Sequence, residues 1–137
     1  MNFHGKLITS AACLFVLFGC SKPNATPGDT SKNFMSAVES TDVSKFTSTL
    51  SSDLKAKIQA KIPDLKKNLE EGSLKIKQCG GYKNLTPNYG VGEGATSVEG
   101  YTLVEYKGTC PSEKQYLKLV KQNDMWLVDE PGPSVKQ

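Results

Sequence analysis

The chain has 137 residues, 37% of them hydrophobic and 23% charged, with a formal net charge of +3. That is enough for one domain with a modest core, and too little positive charge to leave an electrostatic footprint for nucleic acid. Every basic side chain is Lys, there is no Arg, and the single His is His4; beyond the N-terminal segment, imidazole metal ligands, Ser-His-Asp or Cys-His nucleophilic sites and bidentate Arg clamps on phosphate are excluded, so no cofactor, metal or catalytic residue is expected.

The chain starts with a short cationic stretch ending in Lys6, and residues 7–18 are nearly all apolar or small. This run is shorter than the ~20 residues a spanning helix needs and fits the central region of an export signal. It closes on Leu17-Phe18-Gly19-Cys20, which resembles the lipobox of bacterial lipoproteins, with Phe18 where that family has something smaller. The resemblance implies a signal peptide over 1–19, lipidation of Cys20, and a membrane as the first partner. Ser21 follows the Cys; in such families an Asp there goes with inner-membrane retention, so the implied location is the outer membrane, facing the periplasm.

Residues 21–28 (SKPNATPG) are polar with two prolines, so 20–28 is expected to be the lipidated Cys and a flexible tether, 29–130 a single domain and 131–137 a tail. Asp29 or Thr30 is a suitable cap for a first helix with Phe34, Met35 and Val38 on its apolar face. Ser40-Thr41-Asp42 breaks that helix and caps a second one bearing Val43, Phe46 and Leu50, and Ser51-Ser52-Asp53 supplies the next cap. Leu54, Ile58, Ile62, Leu65 and Leu69 then fall within an arc of roughly 80° at 100° per residue, which predicts either one helix kinked at Pro63 or two short ones end to end. The lysines of this stretch scatter round its polar side, as on a solvated face.

After Gly72 the period changes. Leu74 and Ile76 alternate with Lys75 and Lys77 up to Cys79, a pattern that predicts a half-buried strand ended by Gly80-Gly81. Residues 82–94 carry Pro87 and three glycines, predicting a loop or irregular edge. Residues 96–109 read as a long strand, Pro111-Ser112 as a turn, Tyr116 to Val120 as a strand, and Asn123-Asp124 as the turn into Met125-Trp126-Leu127-Val128. Helices followed by an antiparallel sheet make an α+β domain.

Two helices of the form Phe34-x3-Val38 and Val43-x2-Phe46-x3-Leu50, then a sheet ending in strand, polar turn and a strand with Trp126, look like the small bacterial lipoproteins with a nuclear-transport-factor-2-like (cystatin-like) domain. The resemblance covers most of 28–130 and implies N-terminal helices packed on a curved, cone-like antiparallel sheet, often with a pocket. Some relatives are enzymes with Asp, His or Arg in the cone; two of those residue types are missing here.

Cys13 lies in the expected signal and Cys20 in the lipobox, leaving Cys79 and Cys110 to pair as a disulfide in an oxidising compartment. The rival reading is a two-Cys metal or redox site, without a CxxC spacing to support it. Gly90-Val91-Gly92-Glu93-Gly94 lacks the Lys-Ser/Thr of a phosphate cradle and reads as a loop. Tyr82, Tyr89, Tyr101, Tyr106, Tyr116 and Trp126 all fall in the sheet half. They are candidate binding residues, with cross-strand and core packing as the competing role. The function expected from these observations is a lipid-anchored periplasmic binding module with a protein partner, such as an incoming effector that it neutralises. The alternatives are a structural envelope lipoprotein, and small-ligand binding or weak acid–base catalysis by a carboxylate and a tyrosine in a cone pocket, which a concavity filled by Leu103, Leu119 and Trp126 with no buried carboxylate would rule out.

Overall fold

The computed structural model describes residues 22–137; the expected signal, Cys13, Cys20 and Ser21 lie outside them. Each of the four helices among the described residues begins on a side chain that accepts from a backbone N–H at the first turn, satisfying a donor the helix leaves unpaired. Thr26 caps α1 (Pro27–Ser40), earlier than the expected Asp29 or Thr30, because Pro27 at the first helical position needs no partner for a missing N–H. Asp42 caps α2 (Val43–Ser48), Ser51 caps α3 (Ser52–Lys61) and Asp64 caps α4 (Leu65–Gln78). The chain at Pro63 resolves into two separate helices.

The structure overturns two local expectations and chooses between the alternatives of a third. The alternation at 74–79 belongs to α4 and not to a strand: Leu69, Ser73 and Ile76 are buried on one helical face while Leu74 is 57% exposed. Tertiary contact decides this. Gly72 lies so close to α1 that a Cβ there would come within 2.9 Å of Val38 Cγ1, and Ser73 Oγ donates to the Glu39 carbonyl at 2.6 Å. Residues 82–88, read as a loop or irregular edge, are the edge strand β1 (Tyr82–Asn88), with a register irregularity between Tyr82 and Asn84; Pro87 is tolerated there because an edge has backbone positions that need no donor. Residues 131–136 of the segment read as a tail continue β4 (Met125–Lys136), with Lys136 opposite Glu113 and Val135 opposite Lys114.

The strands β1, β2 (Ser97–Tyr106), β3 (Glu113–Gln122) and β4 form an antiparallel sheet in sequence order. Asn123 and Asp124 both take positive φ, 52° and 61°, as the two-residue turn between β3 and β4 requires. The helices pack on the side of the sheet bearing Val98, Leu117, Leu119, Trp126 and Val128, which join Ala37, Phe46, Leu50, Leu54 and Leu69 in one core. Each such buried Leu contributes about 1.5–3 kcal/mol. The edge of β4 is closed by the chain after α2: Val128 N donates to the Thr49 carbonyl at 2.7 Å, and Ser51 N to the Val128 carbonyl at 2.8 Å.

Within the segment expected to be a flexible tether, Asn24 is fixed to the domain. Asn24 is 3% exposed; its carbonyl accepts from Trp126 N at 2.9 Å, its Nδ2 donates to the Ser48 carbonyl at 3.2 Å, and its Oδ1 accepts from Asn33 Nδ2 at 3.2 Å. From Asn24 the chain is held by the domain and runs directly into α1. No helix among the described residues is long and apolar enough to cross a membrane.

Candidate functional site

The six aromatic candidates form no single patch; the fold sorts them into three pairs. Register alone sets the first. Tyr101 on β2 lies opposite Tyr116 on β3, with ring centroids 5.5 Å apart, on the side of the sheet away from the helices. Asn88 Nδ2 donates to Tyr101 Oη at 2.9 Å and Lys114 Nζ stands 4.8 Å above the Tyr101 ring, a favourable cation–π placement. Tyr116 leans on Gly132, where a Cβ would be 3.0 Å from Tyr116 Cβ, and remains 36% exposed. Beside it is a hollow of about 200 Å³ bounded by Glu99, Lys118, Glu130 and the Pro131-Gly132-Pro133 run. Lys118 is in register with both Glu99 and Glu130, so the aromatic centre is rimmed by alternating charge.

The second pair lies at the end of the domain reached by the C-terminus of α1. Tyr82 and Tyr106 face each other across β1 and β2 at 5.7 Å. Tyr106 Oη donates to Glu113 Oε2 at 3.0 Å, which also accepts from Ser134 Oγ at 3.1 Å; Tyr82 N donates to Glu39 Oε2 at 2.8 Å. Burial, then its bond to Glu113 and that carboxylate's charge, push the Tyr106 phenol up to about 12. Burial and the neighbouring Tyr106, Glu39 and Glu113 push Tyr82 up as well. Both phenols are therefore neutral at physiological pH, fitted to donate hydrogen bonds and unsuited to act as bases. Next to them Cys79 and Cys110 come to disulfide distance, with Cα atoms 5.3 Å apart. The close approach is made possible by Gly80 and Gly108: a Cβ on either would lie 2.7 Å from backbone of the other segment.

The third pair, Tyr89 and Trp126, lies at the opposite end and lines a cleft of about 420 Å³ with Pro27, Pro87 and Val91. Tyr89 covers Gly100, where a Cβ would meet its ring at 2.5 Å, and its Oη donates to Ser31 Oγ at 3.3 Å. Ser31 in turn shares a short hydrogen bond with Thr102. This buried hydroxyl chain, and the Glu39 and Glu113 acceptors, were not singled out in the sequence; Thr102, in phase with Val98 and Val104 on β2, carried the one available signal.

Leu119 and Trp126 enter the core as expected. Leu103 does not, because it is one residue out of phase with Thr102 and Val104, both buried. Among the described residues no group of three or more His, Cys, Asp or Glu is placed to hold a metal ion. Cys20 lies outside the described residues. Comparison with known proteins gives no matching family model, curated protein or solved structure.

Proposed function

We propose that the protein is a lipid-anchored binding module of the bacterial envelope, held at the periplasmic side of the outer membrane through Cys20, that recognises a protein partner with the sheet face carrying Tyr101 and Tyr116. The Tyr101–Tyr116 pair is the observation that carries this reading. Two adjacent, mutually tilted and partly exposed phenols inside a rim of Lys114, Lys118, Glu99 and Glu130 have the make-up of a recognition surface, aromatic at the centre and charged at the edge. An incoming effector protein is a partner of suitable kind, since its capture needs contact area and no chemistry. The order of helices followed by a meander supports grouping the chain with nuclear-transport-factor-2-like lipoproteins. A ligand carrier of that group would keep a pocket between helices and sheet; here Phe46, Leu50, Leu54, Leu119 and Trp126 occupy that space, which favours the outer face as the working surface.

The test compares proteins crosslinked in intact cells to the full chain and to its Tyr101→Ala/Tyr116→Ala variant. Loss of a central aromatic anchor typically costs 2 kcal/mol or more, so the partner is expected to fall by about 30-fold or more. A partner recovered equally by both forms, with the variant folded, refutes the assignment of this face.

A further inference from the structure

The ends of the domain differ in their distance from the expected anchor. Asn24 is held by the domain, and only four peptide units separate it from Cys20, so the anchor lies within at most about 14 Å of it. The 14 residues of α1 carry the chain from this end to Glu39, Tyr82 and Tyr106 at the other, about 21 Å away. A leash shorter than the helix cannot let the domain turn over and present the Tyr82–Tyr106 end to the bilayer. The end that stays close carries two adjoining hollows. One is polar, about 390 Å³, with Lys22, Asn24, Asp29, Lys32 and Asn33. The other is the cleft of Pro27, Tyr89 and Trp126, edged by Val91, which is 45% exposed in the glycine-rich segment 89–96.

We propose that this end is a phospholipid-docking face for an ethanolamine headgroup. Lys22 and Lys32 meet its phosphate, Asp29 meets its ammonium, and Val91 with the apolar cleft enters the boundary between headgroups and acyl chains, where amphipathic aromatic side chains are at home. Both signs of charge in the polar hollow match a zwitterionic headgroup. The bond Lys22 already makes, to Asp124 at 3.9 Å between largely exposed groups, is cheaply exchanged for a phosphate. The inference rests on lipidation of Cys20. It adds an orientation: the Asn24 end lies on the membrane, and the Tyr82–Tyr106 end and the cysteine pair project into the periplasm.

Trp126, the sole tryptophan, borders the apolar cleft and is the natural probe. The full chain, extracted from envelopes, is reconstituted into phosphatidylethanolamine and phosphatidylglycerol vesicles with brominated acyl chains. Flotation reads the anchor and quenching reads the docking. The expected result is that the chain floats, a Cys20→Ala chain does not, and Trp126 loses most of its emission. A probe moved to the other end by Leu74→Trp with Trp126→Phe keeps its emission, and Lys22→Glu/Lys32→Glu lowers the quenching of Trp126 in protein that still floats. A chain that does not float removes the anchored reading and the docking with it. A chain that floats with Trp126 unquenched, or with both positions quenched alike, overturns the docking and leaves the anchor standing.

Discussion

The cysteine pair offers the most quantitative prediction. Cys79 follows the last turn of α4 and Cys110 follows β2, so a bond between them closes a loop of sequence separation 31 around β1 and β2. On the loop-entropy model, closing 31 residues removes about 12 cal/mol/K from the unfolded chain, or about 3.7 kcal/mol at 25 °C. The native contacts beside the bond do not depend on it: Gly108 N still donates to the Cys79 carbonyl at 2.9 Å and Lys107 N to the Gly81 carbonyl at 3.0 Å. The loss should therefore appear almost wholly through the unfolded state. For a domain whose total stability is of order 5–15 kcal/mol, a Cys79→Ser/Cys110→Ser variant should lose about 3–4 kcal/mol and roughly 10–20 °C in Tm. Urea unfolding followed by Trp126 fluorescence is the assay, because Trp126 is 4% exposed when folded. The variant should also unfold with a steeper urea dependence, its unfolded chain being more expanded. A variant within about 1 kcal/mol of the parent, or a parent whose midpoint does not respond to reductant, refutes the assignment of a stabilising disulfide to this pair.

Two further outcomes probe the sidedness of the sheet and the far-end phenols. Leu119→Ala, at a position with 0% exposure, should cost about 2–5 kcal/mol, and Leu103→Ala on the other face well under half as much; equal losses in urea unfolding would mean that the β2 phase is misassigned. Tyr106 has its pKa raised in the folded state, to about 12 from 10.0. The unfolded chain thus loses its phenolic proton first, and the stability this group contributes, complete below pH 10, declines as pH rises toward 12. Tyr106→Phe should flatten that alkaline decline in urea midpoints measured from neutral pH upward, and an unchanged slope would show that the phenol titrates normally.

Much of the helical half was legible because its signals are local. A cap needs a Ser, Thr or Asp within three residues of a donor, and Asp42 and Ser51 each supply one as read, while Asp64 does so without having been singled out. Asn123-Asp124 marks its turn because both positions need positive φ, which Asn and Asp tolerate. Where the reading failed, the deciding contact was distant in sequence. Residues 74–79 alternate like a strand for too few positions to exclude a helix, and Val38 and Glu39, more than 30 residues earlier, settle the matter through Gly72 and Ser73. The polar run at 21–28 looks like a tether until Trp126 and Ser48 take hold of Asn24.

The same division holds for function. The sequence by itself determined the chemistry on offer, because composition needs no fold: a lysine-only, His-free chain beyond the N-terminal segment, four cysteines of which Cys20 sits in a lipobox-like run, and aromatics concentrated in the sheet half. Only the tertiary structure decided how those aromatics are used. Strand period fixes which residues alternate but not which phase faces the helices, and register across strands fixes who meets whom. That is why Tyr101 meets Tyr116 on the outer face, Tyr82 meets Tyr106 at the cysteine end, and Tyr89 closes over the cleft beside Trp126.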